Sequence, residues 1–148
     1  MSPEGGRTYK VLIVDDNPNV LAVISDSLQE LGDFEVVTAA DGAEGLASFY
    51  VERPDCMVID VKMPVLDGYQ LVRALRGDAE TAETPLVILT AMAQDLDRFA
   101  GMIAGADCYL TKPVKPQDLV AAIQQAIALS EADRRRRLQS LAEEPPEL

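Results

Sequence analysis

Histidine is absent from all 148 residues of the chain. Its absence excludes imidazole metal ligands, Ser-His and Cys-His nucleophile pairs, and any role of this chain as a phosphohistidine donor. The chemistry that the chain carries must therefore use Asp, Thr, Lys and backbone groups.

Positive charge is also scarce. The chain has 13 Lys and Arg residues against 25 Asp and Glu, which gives a formal net charge of −12 and a pI near 4.3. Such an excess of negative charge disfavours binding of the domain itself to nucleic acid or to an anionic membrane. It favours an acidic patch that binds cations.

Long apolar runs and signal-like segments are missing too. No apolar run approaches the roughly 18 residues that indicate a membrane-spanning helix, and residues 1–7 lack the apolar core of a signal peptide. We therefore expect a cytoplasmic protein without membrane contact. In that compartment Cys56 and Cys108 are expected to be reduced and buried in the core.

The composition and pattern of the rest indicate one α/β domain. A chain of 148 residues with 48 % apolar residues can bury a sizeable core. Apolar runs alternate with helical periodicity five times, as in a doubly wound α/β fold. The predicted strands are Tyr9–Val14, Phe34–Ala39, an apolar run that ends at Asp60, Leu86–Leu89 and Cys108–Leu110.

Helical spacing predicts a helix after each strand. The first begins at Pro18, behind the capping residue Asn17, and stops at Gly32. The fourth, over residues 95–104, has a ragged apolar stripe, and the last begins near Pro116. The residues of the second helix expected to face the core are Ala43, Leu46, Ala47 and Tyr50.

Polar residues follow four of the predicted strands. They are Asp15 and Asp16, Asp60, Thr90 and Lys112. The carboxyl ends of parallel strands share one edge of the sheet, so these side chains should converge. Converging carboxylates repel one another unless a cation such as Mg²⁺ neutralises them, and Lys112 suits a phosphate oxygen. The set predicts a site where a carboxylate attacks phosphorus.

Five motifs in this order resemble the response-regulator receiver domain, the CheY-like module of two-component signalling. They are VLIVDD at 11–16, DVKMPVLDG at 60–68, LTA at 89–91, GADCY at 105–109 and LTKP at 110–113. The resemblance covers Lys10 to about Leu129. It implies a flavodoxin-like, five-stranded parallel sheet of order 2-1-3-4-5 flanked by five helices.

The resemblance also implies a role for each site residue. Asp60 would accept a phosphoryl group from a histidine kinase or a histidine phosphotransfer protein. Mg²⁺, or Mn²⁺, would be held by Asp16 directly, by Asp15 directly or through water, by Asp60, and by the Lys62 backbone carbonyl. Lys112 would contact the phosphate.

The same resemblance implies how the signal is passed on. Thr90 and Tyr109 would form a switch pair, and Lys112–Pro113 would be a cis peptide. Protein contacts would change on the face formed by the fourth helix, the fifth strand and the last helix. The chain would then be a signalling protein and not an enzyme.

The domain organisation is expected to have three parts. Residues 1–8 form a disordered N-terminus, 9–129 the receiver domain, and 130–148 a charged helical extension with a Pro-containing tail. This extension is either solvent-exposed or a docking or self-association helix. The expected protein is a stand-alone regulator with an unidentified downstream protein target, the alternative being a receiver within a larger regulator or hybrid kinase.

Two positions bear on assembly and on the cysteines. Cys108 and Ala122 stand where the winged-helix subfamily often carries charges of its dimer face, so an activated dimer of that type is not expected, and a monomer or weak dimer is. The charge argument above excludes direct DNA binding from the expectation. In the implied strand order, Cys56 and Cys108 are separated by a strand. At about 9.5 Å across two strand spacings, no disulfide should form between them.

Each site residue also has an ordinary structural explanation. Asp15 and Asp16 are typical acids of a helix start, and Lys112 is typical of a solvated surface. Thr90 is typical of a strand-end capping residue, and Tyr109 fits ordinary strand composition. Asp60 fits such an explanation poorly, because a charge that ends a wholly apolar strand is rarely there by default.

Two other functions use the same topology. A haloacid-dehalogenase-type hydrolase also has an Asp after a strand, but needs an acid two residues later, where this chain has Lys62. A nucleotide or flavin binder would need a glycine-rich phosphate loop, whereas Asp15 and Asp16 occupy the first turn.

Overall fold

The computed structural model of the chain describes residues 8–32, 34–60, 68–90 and 107–143, without side-chain detail at 68–70, at 90 and in parts of the last helix. Within these ranges five strands form one parallel sheet of order β2-β1-β3-β4-β5. The doubly wound, flavodoxin-like architecture predicted from the sequence is confirmed.

The elements alternate along the chain as expected. The strands are β1 (Tyr9–Val14), β2 (Phe34–Ala39), β3 (Cys56–Asp60), β4 (Leu86–Thr90) and β5 (Cys108–Thr111). The helices are α1 (Pro18–Leu31), α2 (Gly42–Glu52), α3 (Gly68–Gly77) and a C-terminal helix (Pro116–Glu143). The helix predicted over 95–104 lies outside the described residues, as do 1–7 and 144–148.

The central strands of the sheet are buried on both faces, which explains their continuous apolar runs. One face packs against α1 and the C-terminal helix and contains Val11, Ile13 and Val58. The other packs against α2 and α3 and contains Leu12, Val14 and Ile59. Because alternate residues of β1 and β3 enter different cores, the buried runs 11–14 and 56–59 have to be apolar at every position.

Helix α1 begins and ends where the sequence predicts. The Asn17 side chain accepts hydrogen bonds from the backbone N–H groups of Asn19 and Val20, which otherwise have no partner within the helix. Pro18 occupies the first turn, and the Gly32 N–H donates to the Leu28 carbonyl at 3.0 Å. This cap sets the chain direction directly after β1.

Helix α2 faces the core through different residues from those predicted. The prediction from apolar spacing was wrong for Ala43, Ala47 and Tyr50, which are exposed, and partly right for Leu46, which is half-buried. The structure buries Gly42, Gly45 and Phe49 instead.

The close approach of α2 to β1 explains this difference. A Cβ atom added at Gly45 would lie only 2.9 Å from Cγ2 of Val14. Only glycine permits this contact without movement of Val14, a stiff β-branched side chain. Apolar periodicity does not detect such a position, because the residue that packs most closely carries no side chain.

The apolar stripes of α3 and of the C-terminal helix face the core. Leu71, Val72 and Leu75 of α3 are buried, as are Leu119, Ile123, Ala126 and Ile127 of the C-terminal helix. The C-terminal helix continues to Glu143, with an Arg136–Asp133 ion pair of 3.2 Å on its surface. In the part of the chain that the structure describes, no helix combines the length and apolar character needed to cross a bilayer.

The two cysteines are free, and they differ in burial. Cys56 is buried in the core, as predicted, and burial raises the pKa of its thiol. Cys108 is only half-buried, so the expectation of a core position was wrong for this residue. It starts an edge strand, which has a neighbour on one side only.

The Gly45 contact leads to a stability prediction. We expect Gly45→Leu to lower the free energy of unfolding by about 2 kcal/mol, as is usual for an overpacked core site. The matched control is Ala47→Leu on the exposed face of the same helix, with an expected change within about 0.5 kcal/mol. Urea unfolding followed by circular dichroism measures both, and equal stability of the two variants would contradict the described packing of α2.

Candidate functional site

Three carboxylates meet at the carboxyl edge of the sheet. Asp15 and Asp16 follow β1, and Asp60 ends the neighbouring strand β3, where Val14 pairs with Ile59. One oxygen from each lies within 4.8 Å of the other two. Asp15 and Asp60 are only 1 % and 5 % exposed, whereas Asp16 is exposed. The convergence predicted from strand ends is therefore present in the described residues.

Backbone groups hold Asp15 in its orientation. Its N–H donates to the Ala39 carbonyl at 3.1 Å, which ties the end of β1 to β2. Its Oδ1 accepts from the Asn17 N–H at 3.0 Å. The same Asn17 caps α1, so the helix start and the carboxylate are positioned together.

The sequence interpretation missed this second role of Asn17. Asn17 was predicted only as a helix cap, whereas its N–H also orients the acid two residues earlier. The Asp-x-Asn spacing was the available signal, because Asp side chains often accept a hydrogen bond from the backbone two residues later.

Lys112 enters the same site from the end of β5. Its Nζ donates to Asp60 Oδ2 at 2.9 Å and lies 3.5 Å from Asp15 Oδ2. Burial lowers the pKa of Lys112, but the hydrogen bond to Asp60 and the charges of Asp60 and Asp15 outweigh it, so the pKa is raised overall. Lys112 is therefore held as an ammonium group between two buried carboxylates.

One carboxylate oxygen of the site has no hydrogen-bond partner within the described residues. Asp15 Oδ2 is buried and makes no hydrogen bond within the described residues, since Lys112 is at ion-pair distance and donates its short bond to Asp60. Buried carboxylate oxygens without partners are costly.

The donor set at this edge suits a hard divalent cation. Oxygen ligands alone, two buried carboxylates and a third open to solvent fit Mg²⁺, which keeps several waters when bound by proteins. Asp15, Asp16 and Asp60 would hold it. The Lys62 carbonyl, expected as a fourth ligand, lies outside the described residues.

The other predicted site residues lie at or near this edge. Thr90 ends β4, one residue beyond Leu89, which pairs with Asp60; its side chain is not described. Tyr109 lies on β5 and is 44 % exposed. The peptide bond between Lys112 and Pro113 is cis.

Comparison with known proteins finds one family over most of the chain. The family described as the response regulator receiver domain matches residues 11–124. The chain is 48 % identical over 120 residues to the transcriptional regulatory protein PrrA of Mycobacterium tuberculosis, covering 81 % of this chain and 50 % of that protein. It thus spans about half the length of the curated relatives it matches.

Solved structures give the same result. The chemotaxis protein CheY4 of Vibrio cholerae matches with a TM-score of 0.73 and 36 % identity over 81 % of this chain and 99 % of that chain. The receiver domain of the sensor histidine kinase PA1611 of Pseudomonas aeruginosa matches with a TM-score of 0.74 and 34 % identity, over 82 % of this chain and 99 % of that chain. Its structure holds a magnesium ion in the active site cleft.

The crowded carboxylates lead to a prediction about Asp16. Asp16→Asn should raise the stability of the metal-free protein, because it removes one of three like charges. In the wild type, Mg²⁺ at a hundredfold excess over its dissociation constant should raise the free energy of unfolding by about 2.7 kcal/mol. We expect this Mg²⁺ effect to be lost in Asp16→Asn, as measured by thermal melts with and without the ion.

A matched control separates the site from general acidity. Glu30 is an exposed acid in the last turn of α1, at the opposite end of the helix from the carboxylates. Glu30→Gln should keep the full Mg²⁺ shift. A shift of equal size in wild type and Asp16→Asn would show that the ion binds elsewhere.

Proposed function

This chain belongs to the response regulator receiver domain family, and from that premise we propose that Asp60 accepts a phosphoryl group from a histidine kinase or a histidine phosphotransfer protein. The observation that carries the proposal is the contact of Lys112 with a buried Asp60 carboxylate beside Asp15 and Asp16. A buried acid held by a cation at an open sheet edge is suited to accept an electrophile.

The transfer step balances without any further reactant. A carboxylate oxygen of Asp60 attacks the phosphorus of the donor phosphohistidine, and an O–P bond forms. The P–N bond breaks, its electron pair returns to the imidazole nitrogen, and that nitrogen takes a proton from solvent. The products are an aspartyl phosphate on this chain and a neutral histidine on the donor.

The residues around Asp60 have separate roles in this step. Lys112, held at Asp60 Oδ2, supplies positive charge to the phosphoryl oxygens. Asp15 and Asp16 supply oxygen ligands, together with the carbonyl proposed at Lys62. Bound Mg²⁺ or Mn²⁺ would offset the charge of the carboxylates and of the transferring group.

We propose that Thr90 and Tyr109 pass the change to a protein-binding face. Phosphorylation adds charge approaching −2 and three strong acceptors at the sheet edge. Thr90, one residue beyond the partner of Asp60, would turn its hydroxyl toward them. Tyr109, exposed in this structure, would turn inward on the next strand and alter the face made by the segment before β5, by β5 and by the C-terminal helix.

The output and the setting of the receiver belong to the same proposal. The expected stand-alone form and lack of direct DNA binding gain no support from the comparisons, since PrrA is a transcriptional regulatory protein of which the matched region covers only 50 %. The net charge of −12 favours signalling through protein contacts by this domain. A cytoplasmic location, the monomeric or weakly dimeric state and the three-part domain division stay predictions.

The central test is intact-protein mass spectrometry after incubation with Mg²⁺ and phosphoramidate. The wild type should gain the mass of one phosphoryl group, and Asp60→Asn should gain none, because an amide is a poor nucleophile. Asp26→Asn, at an exposed position of α1, should behave as wild type. A phosphoryl group that persists in Asp60→Asn would refute the assignment of Asp60.

The switch is tested by Thr90→Ala. A ligand shifts a conformational equilibrium only by its differential affinity for the two states. Loss of the Thr90 hydroxyl should therefore weaken the coupling between Asp60 and the protein-binding face more than it weakens phosphorylation of Asp60. We expect normal phosphorylation of Asp60 but smaller amide chemical-shift changes at Tyr109 and Val120 when a beryllofluoride phosphate mimic is added.

The matched control for this variant is Thr111→Ala. Thr111 is exposed and pairs with Thr90 across β4 and β5. Its removal should leave the shift changes at wild-type size. Equal shift changes in Thr90→Ala and wild type would refute the coupling route and leave Asp60 as the phosphoacceptor.

A further inference from the structure

Strand β5 is weakly constrained by its own sequence. It has only four residues and, among the described strands, pairs only with β4, at one edge of the sheet. Its two inward residues, Cys108 and Leu110, are only half-buried. Because side chains alternate with a period of two, a slip by two residues would keep the same alternation of faces. The apolar pattern therefore leaves the register of β5 open.

The register matters because Lys112 directly follows β5. Each residue advances a strand by about 3.3 Å, so a slip by two residues would move Lys112 by roughly 6.6 Å. The 2.9 Å contact between Lys112 Nζ and Asp60 Oδ2 would then be lost. Some other group has to specify which residue of β5 lies opposite which residue of β4.

Asp107, the residue before β5, makes two hydrogen bonds to the first residue of β4. Its N–H donates to the Leu86 carbonyl at 2.9 Å, and its Oδ2 accepts from the Leu86 N–H at 2.8 Å. Two bonds to a single residue specify one pairing. The observed register, from Val87 opposite Cys108 to Thr90 opposite Thr111, follows directly from it.

Arg76 holds the Asp107 carboxylate from α3. Its Nη2 donates to Asp107 Oδ2 at 3.3 Å, while its Nη1 donates to the carbonyls of Ala82 at 2.9 Å and Thr84 at 2.8 Å. The two side chains are 25 % and 27 % exposed, so salt screens this pair less than a surface pair. Burial lowers the pKa of Arg76, and Asp107 opposes that effect.

We infer that Arg76 and Asp107 are positioning residues for Lys112, which they hold opposite Asp60 by fixing the register of β5. Both act from the amino end of β4 and β5, away from the carboxylates. Their effect on phosphorylation rests on the function proposed above, in which Lys112 contacts the phosphoryl group. Their effect on the position of Lys112 does not depend on that function.

The first test measures lysine reactivity in the full chain without any phosphodonor. Acetylation by an N-hydroxysuccinimide ester should be about tenfold slower at Lys112 than at the exposed Lys115, because its charge-assisted hydrogen bond must break first. In Asp107→Ala, Lys112 should react nearly as fast as Lys115. In Asp107→Asn most of the protection should remain, because the amide oxygen can still accept from Leu86.

Two further variants separate positioning from general loss of stability. Phe34→Ala opens a cavity at the start of β2, on the sheet edge opposite β5, and should leave the ratio of the Lys112 to the Lys115 acetylation rate unchanged. Arg76→Gln keeps the Asp107 bonds to Leu86 but removes the ion pair, and should release Lys112 partly. If Asp107→Ala does not fold, the Arg76→Gln variant decides whether the pair positions Lys112.

The second test uses phosphoramidate with Mg²⁺. Asp107→Ala should slow phosphorylation of Asp60 by about tenfold, the usual effect of one lost charge-assisted contact. Its Mg²⁺ affinity should not fall, because the carboxylates lie on β1 and β3 and the displaced Lys112 no longer repels the ion. In a Lys112→Met background, Asp107→Ala should slow the reaction no further.

Two results would overturn the inference. One is a ratio of Lys112 to Lys115 acetylation rates that equals the wild-type value in both Asp107→Ala and Arg76→Gln. The other is an equal loss of rate from Asp107→Ala with and without Lys112. A wild type that accepts no phosphoryl group would refute the proposed function instead, and the acetylation ratio would still decide the role of Asp107 and Arg76.

Discussion

Two buried carboxylates share one ammonium group at the carboxyl edge of this sheet, and the rest of the site depends on that imbalance of charge. Lys112 donates its short bond to Asp60, so Asp15 keeps an oxygen without a hydrogen-bond partner in the described residues. The exposed Asp16 adds a third negative charge within 4.8 Å. On the function proposed above, a divalent cation would stabilise such a site, and an incoming phosphoryl group would bring Lys112 further acceptors.

Most of the fold and the main site residues could be predicted from sequence, because the relevant signals are local. Strands buried on both faces have to be continuously apolar, so β1 and β3 are evident from composition alone. A charge directly after such a strand stands out, and the shared edge of parallel strands then brings Asp15, Asp60 and Lys112 together without knowledge of any distance. The motifs of the resembling family named the same residues.

The features that sequence reasoning missed depend on distances between elements. The inner face of α2 is set by how closely the helix approaches Val14, and the closest residue is Gly45, which apolar periodicity cannot count. The sequence showed Asp107 only as one residue of the GADCY motif, because its partners Leu86 and Arg76 are 21 and 31 residues away in the chain. Contacts of this kind require the assembled sheet, and they can determine whether a correctly identified residue such as Lys112 reaches its partner.

The most direct test of the central claim is paramagnetic broadening of amide resonances by Mn²⁺ at substoichiometric concentration. The account predicts that resonances of Asp15, Asp16 and Asp60 disappear first, while those of Tyr9 and Cys56, at the other end of strands roughly 17 Å long, persist. Mg²⁺ in excess should restore the lost signals. Broadening that is uniform over the acidic surface, or strongest near Glu35 and Glu52, would contradict a cation site formed by the three converging carboxylates.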